Sequence, residues 1–219
     1  MNRFIKKHEF NYIKKCLSEL NDAFINCKDS NIIAASKAYI QDKIWNKFSS
    51  LSDEEKELLN IDSITEPLHI TNFTKKVYNY VYGMESLTTT QINKIFKKEK
   101  KLKAPILNYE DKKLVYLGWI DPAIKKLLIV YNYNGKPLGM ACRLSEKNTN
   151  NTHICALCNH IGPQSEVNFV SPICKTSRTD PDAYKSLGFY VCIDSEKCNE
   201  RITSTEKLEK IIKEVNNIK

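Results

Sequence analysis

The sequence has no window approaching the roughly 18 uninterrupted apolar residues of a membrane span. Nor does an apolar run follow the early charges of Met1-Asn2-Arg3-Phe4-Ile5-Lys6-Lys7. Neither a membrane protein nor an exported one is therefore expected, and the chain reads as cytoplasmic. Arginine is scarce: only Arg3, Arg143, Arg178 and Arg201 stand among 34 basic residues. Base reading and bidentate phosphate recognition favour arginine, so specific nucleic-acid binding is not expected. Catalytic signatures are missing as well. There is no GxxxxGK followed by Ser or Thr, no GxSxG and no HExxH. The four histidines, His8, His69, His153 and His160, are scattered without helical ligand spacing. A binding protein is expected, not an enzyme.

Of the residues present, 42% are hydrophobic and 27% charged, a balance that suits one or two soluble domains with real cores. The net charge of +8 is local. Residues 61 to 145 carry fourteen Lys/Arg against seven Asp/Glu, and so supply +7 of it. Lys94, Lys97, Lys98, Lys100, Lys101 and Lys103 form the one dense basic run. Such a run is either a solvated helix face or an electrostatic attractor for phosphates, an anionic surface or an acidic protein.

The N-terminal third has helical grammar. Ile13, Cys16, Leu17, Leu20, Ala23, Phe24 and Cys27 recur at three and four residue intervals, predicting an amphipathic helix from about Phe10 to Lys28. Asp29 or Ser30 caps a second helix with Ile33, Ala34, Ala38, Ile44, Trp45 and Phe48 on its face. Ser52 with Glu55 and Ser63 with Glu66 have capping-box spacing, predicting two further helix starts. A last stripe, Phe73, Val77, Tyr78, Val81 and Tyr82, precedes Gly83. No strand pattern is visible, so residues 1 to 86 read as a helical bundle.

Thr89 or Thr90 is expected to cap a lysine-rich helix stopped by Pro105. The grammar then changes to β-rich runs at Lys113 to Trp119, Leu127 to Tyr133 and Pro137 to Leu144. Asn134-Gly135 sits between the last two and favours a tight hairpin. A final helix begins near Ser204, with Leu208, Ile211, Ile212 and Val215 on its apolar side. The expected fold class is α+β, with residues 87 to 219 forming an α/β domain.

Eight cysteines in a reducing compartment are thiols or metal ligands before they are disulfides. Cys155 and Cys158 have the two-residue spacing of a metal-binding loop. Cys192 ends the apolar run Phe189-Tyr190-Val191, and Cys198 follows Asp194 or Ser195, a natural helix cap. Loop pair, strand-end cysteine and helix-turn cysteine make a treble-clef zinc site spanning about 153 to 203. Four sulfurs leave no open position, so a single Zn2+ there is structural. Cys174 is the rival for a ligand place, and His153 and His160 flank the first pair; four metal-free buried thiols are the plainer alternative. Cys16, Cys27 and Cys142 read as core residues.

These residues resemble the elongation factor G-binding proteins, a family that includes the FusB-type fusidic acid resistance proteins. The resemblance lies in Cys155-Ala-Leu-Cys158-Asn159, in Tyr190-Val-Cys192-Ile-Asp194-Ser195-Glu-Lys-Cys198-Asn199, in the basic stretch Ile95 to Lys103 before Pro105, and in Tyr116-Leu117-Gly118-Trp119. It covers residues from about 87 onward by motif, and the earlier ones by helical character alone. It implies a helical bundle followed by a zinc-finger domain that binds the C-terminal domains of elongation factor G and promotes release of the factor from the ribosome. The family's contact surface surrounds the zinc finger. Its tyrosine corresponds to Tyr190, whereas Ile154, Leu187 and Leu208 stand where the family has an aromatic, a lysine and an aromatic; Lys185 supplies a displaced charge. Tyr184, Lys185, Phe189 and Tyr190 cluster beside the metal motif, with Tyr190 expected outward and Phe189 inward. Lys94, Lys97, Lys98 and Lys101 are expected to steer an acidic partner. The ribosome is then touched only indirectly, and the expected state is a monomer. The competing reading is a zinc-finger RNA binder that uses residues 94 to 103 on phosphates.

Overall fold

A computed structural model describes residues 2–105, 113–146, 151–174 and 186–218. The chain divides into two compact units, Met1–Tyr82 and Gly83–Lys219.

The first unit is helical: α1 (Lys7–Asn26), α2 (Ser30–Trp45), α3 (Asp53–Leu58) and α4 (Pro67–Tyr78). Phe10, Ile13, Cys16, Leu17 and Leu20 of α1 form its buried stripe, packed with Ile40, Ile44, Leu59, Ile61, Ile64, Phe73 and Val77. Asp29 caps α2 by accepting the Asn31 N–H, and Ser52 with Glu55 closes the expected box on α3. Several details differ from the sequence reading. Residues Ile5–Lys6 (β1) and Val81–Tyr82 (β2) form a two-residue parallel pair where no strand was expected. The helix predicted from Ser63 begins instead at Pro67, because proline at the first helical position loses no hydrogen bond. Ala34 and Ala38 are exposed. The buried side of α2 is turned by Gln41, whose amide donates to Leu59 O at 3.2 Å and accepts from Ile61 N at 2.7 Å. Cys27 is half-buried, since α1 ends one residue earlier and Cys27 is already extended.

The second unit is built on an antiparallel sheet in the order β3-β4-β5-β8-β9. Its strands are β3 (Leu117–Asp121), β4 (Lys126–Tyr133), β5 (Lys136–Leu144), β8 (Val167–Pro172) and β9 (Phe189–Cys192). A small hairpin, β6 (Thr152–Ile154) with β7 (Ile161–Pro163), is inserted between β5 and β8. Asn134 and Gly135 both adopt positive φ, 50° and 75°, making the tight β4–β5 turn. The run Leu127-Leu128-Ile129-Val130 is buried throughout because both faces of the sheet are covered. Leu127 and Ile129 meet Leu208, Ile211, Ile212 and Val215 of α7 (Glu206–Asn216). Leu128 and Val130 meet Ile92 and Phe96 on the other face. The helix α5 (Thr89–Ile95) carries Ile92 and is capped by Thr88, not Thr89 or Thr90.

The lysine-rich stretch is not one helix. Only Lys94 lies in α5; Lys97, Lys98 and Lys101 follow in successive turns, closed by Glu99 N to Phe96 O at 2.8 Å and Leu102 N to Glu99 O at 3.2 Å. A continuous helix would stack Lys94, Lys97, Lys98 and Lys101 on one face, and like charges at that spacing destabilise it. Glu99 instead pairs with Lys126 at 2.7 Å.

Buried Asp121 anchors the end of this stretch. It accepts the amides of Lys103 at 2.7 Å, Ala123 at 2.8 Å and Ile124 at 3.2 Å. Burial opposes its ionisation, yet those amides outweigh it and hold the carboxyl below the ordinary range. A depressed folded value gives stability that is present above the unfolded value near ~4 and lost as pH falls through it toward the folded one. Asp121→Asn should cost about 1–3 kcal/mol at neutral pH. In urea titrations at several pH values, the gap from the parent protein should narrow below pH ~4.

Candidate metal centre

The site forms where three local structures end together. After β6 the chain makes a short loop: Cys155 N donates to His160 O at 2.8 Å, Asn159 N donates to Cys155 O at 2.9 Å, and Asn159 takes a left-handed φ of 59°. Asparagine tolerates that conformation better than most residues. This loop is tied to the sheet by Ala156 N donating to Tyr190 O at 2.8 Å. Cys192 closes β9, and the chain turns at once into α6 (Ser195–Arg201). Asp194 caps α6 by accepting from Lys197 N at 3.0 Å, which fixes the orientation of Cys198 one turn in.

The sulfurs of Cys155, Cys158, Cys192 and Cys198 consequently lie within 4.8 Å of one another. Cys155 stands 3.9 Å from Cys198, and Cys158 stands 3.5 Å from Cys192. Zinc–sulfur bonds of ~2.3 Å arranged tetrahedrally require edges of about 3.8 Å, and these two spacings are close to that. As thiols the four conflict. Hydrogen bonds from Cys158, Cys192 and Cys198 hold Cys155 far below the ordinary thiol range, while proximity to Cys155 pushes Cys192 and Cys198 far above it. A divalent cation relieves that conflict by letting all four ionise. The donor set is soft, tetrahedral and without an open position, which suits structural zinc.

The rival ligands lie elsewhere. Cys174 sits beyond β8 with its thiol near Pro172 O; His153 stacks on Tyr190 at 4.1 Å; His160 pairs with Glu166 at 2.7 Å. Cys142 is fully buried in β5, and Cys16 in α1.

Of the residues expected on a contact surface, Ile154 is 57% exposed. Tyr190 is half-buried between His153 and the edge of Phe169, and Leu187 is half-buried. Phe189 is buried. Tyr184 and Lys185 lie outside the described residues. Leu208 belongs to no surface: it is fully buried against the sheet, because the apolar side of α7 supplies the core. Sequence reasoning missed Ile161, 62% exposed and paired across the hairpin with Ile154. The register was implied by the loop, since a hairpin closed by Cys155 and His160 sets those two isoleucines opposite each other. It also missed exposed Phe169. Lys94, Lys97, Lys98 and Lys101 are all exposed. The first three help line a cavity of about 580 Å³ with Leu138, Met140 and Val215.

Asn199 holds α6, and with it Cys198, against the sheet. Its Oδ1 accepts from Val115 N at 2.7 Å and Tyr116 N at 3.1 Å, while its Nδ2 donates to Tyr116 O at 3.0 Å and Ser195 O at 2.8 Å.

Comparison with known proteins gives the architecture a context. Residues 4–85 match the family model described as elongation factor G-binding protein, N-terminal. Residues 89–218 match the one described as FBP C-terminal treble-clef zinc-finger. No curated protein matches the chain. The solved structure described as that of the fusidic acid resistance protein FusC superimposes with a TM-score of 0.77 at 24% identity, covering 98% of each chain, and so shares this fold.

Asn199→Ala should strand two buried amides and a carbonyl and cost about 2–4 kcal/mol, more than one ordinary hydrogen bond. Equilibrium unfolding of the variant measures this loss; an unchanged midpoint would remove Asn199 from the account.

Proposed function

The chain belongs to the elongation factor G-binding protein family, and from that premise we propose that it binds elongation factor G and promotes its release from the ribosome. The observation that carries this reading is the treble-clef match over residues 89–218 coinciding with four sulfurs at tetrahedral spacing. One structural Zn2+, held by Cys155, Cys158, Cys192 and Cys198, would supply no reaction chemistry. Its part is to fix the β6–β7 hairpin, the end of β9 and the start of α6 as one rigid face. Preorganisation of that kind lowers the ordering cost of binding.

The side chains on this face suit a protein partner. Tyr190 stacks on His153 and meets Phe169 at a steep angle, and Ile154 and Ile161 offer further exposed apolar area on the neighbouring hairpin. A rigid tyrosine gives large contact area with little rotamer entropy to lose. The exposed lysines of residues 94 to 101 steer an acidic partner, which raises the association rate and makes it fall with added salt. The protein then acts without covalent chemistry, as a cytoplasmic monomer that biases the factor between bound and released states.

Binding of purified elongation factor G to nuclease-treated protein tests the reading directly. A complex that persists after nuclease supports it; retention of RNA with no affinity for the factor supports the RNA-binding alternative. Tyr190→Ala should weaken the complex at least ~10-fold with zinc content unchanged, since a central aromatic anchor carries about 2 kcal/mol or more. Unchanged affinity would place the contact surface elsewhere. Replacing Cys155 and Cys158 together by serine should abolish both zinc retention and binding.

A further inference from the structure

The cavity of about 580 Å³ in the second unit lies along a part of β5 that β8 leaves uncovered. β8 pairs only with Cys142, Arg143 and Leu144, whereas Lys136 to Ala141 all line the cavity. Successive strand residues point to opposite faces, so a cavity touched by all of them opens at the sheet edge. One wall is the end of α5 with the turn after it, set against Gly139 and Ala141. The other is the end of α7, set against Leu138 and Met140. Asn217 there takes a left-handed φ of 53°, and Ile218 N donates to Lys213 O at 3.0 Å, which folds Ile218 back onto the cavity.

This edge is closed to a further strand. Gly139 O accepts from Asn216 Nδ2 at 3.2 Å, and Ala141 O accepts from Ile173 N at 2.9 Å. Pro137, two residues before Gly139 and on the same side of the strand, has no N–H to give. An extended peptide would therefore find too few backbone partners. The Gly139 N–H shares the direction of its carbonyl, away from β4, and remains a donor at the cavity.

The side chains select a ligand chemistry. Lys94, Lys97, Lys98 and Lys136 bring four exposed ammonium groups. Glu99 is the one acid among the described lining residues, and Lys126 already holds it at 2.7 Å. The apolar lining is aliphatic, with Leu138, Met140, Ile173, Val215 and Ile218. Phe96, the sole aromatic ring in it, is 5% exposed and packs on Trp119. A nucleobase has no open ring to stack on, and no arginine offers a bidentate phosphate contact. A flexible hydrocarbon with an anionic head satisfies both halves, and the volume lies within the roughly 300–1,000 Å³ of small-molecule sites.

We propose that this cavity binds a free acyl carboxylate, its chain against Leu138, Met140, Val215 and Ile218 and its head among the lysines and the Gly139 N–H. The site shares no residue with the metal centre, and its test needs no elongation factor G. Failure of one reading therefore leaves the other standing.

The full zinc-loaded chain is titrated calorimetrically with octanoate, decanoate and dodecanoate below their micelle concentrations. A single saturable site is expected, tightening about 4-fold for each methylene that enters the cavity and weakening with added salt. Decanol, which has the same chain without the charge, should bind more weakly than decanoate, and decyltrimethylammonium should not bind. Replacing Lys97, Lys98 and Lys136 together by glutamine should weaken decanoate about 5-fold or more and leave decanol unchanged, because these exposed side chains contribute charge alone. Ile218→Asp, a change at a partly exposed position, should weaken both ligands. Absence of a saturable decanoate site, equal affinity for decanol, or indifference to the glutamine changes would overturn the proposal. So would adsorption to vesicles of anionic phospholipid without affinity for the free acid.

Discussion

Convergence of four sulfurs on one point is the constraint from which the second unit takes its form. The elements that carry them are individually weak. A hairpin of two three-residue strands is marginal by itself in water, and a seven-residue helix lies below the length at which isolated helices persist. Apparent zinc-binding free energy of about 10–16 kcal/mol is comparable with the stability of an entire domain. A metal at this point would decide whether β6, β7, the end of β9 and α6 have one arrangement or many. The contact face that the functional reading needs exists only in the first case.

The sheet contributes the other half of the support. Asn199 replaces the missing strand partners of Val115 and Tyr116 with its own side chain, and so a helix that bears a ligand is locked to the strand that opens the sheet. Tyr190 serves both structures: its carbonyl takes the amide of Ala156 from the cysteine loop, while its ring stands between His153 and Phe169. Metal site, sheet edge and aromatic surface are thus coupled through a few backbone and side-chain bonds.

Much of this was legible in the sequence where a short local rule governs the outcome. The Asn134-Gly135 turn, the Ser52 box and the spacing of the four cysteines each depend on a few neighbouring residues. The misses come from partners distant in sequence. The β1–β2 pair joins residues some 75 positions apart with two residues on each side, too short for any periodic signal. The lysine-rich stretch looked helical by pattern, but like-charge crowding and the Glu99–Lys126 pair favour successive turns. Leu208 was assigned to a surface by resemblance, although its own apolar stripe with Ile211, Ile212 and Val215 already pointed to a core. Gln41 and Asn199 show the same limit from the other side, since nothing local marks a polar residue as the partner of remote backbone amides.

The most direct measurement is X-ray absorption at the zinc edge on the purified full-length protein, with metal content determined on the same sample. One zinc per chain with four sulfur neighbours at ~2.3 Å is the expected result. A first coordination sphere containing nitrogen or oxygen, or a folded protein that binds its partner without metal, would contradict the account.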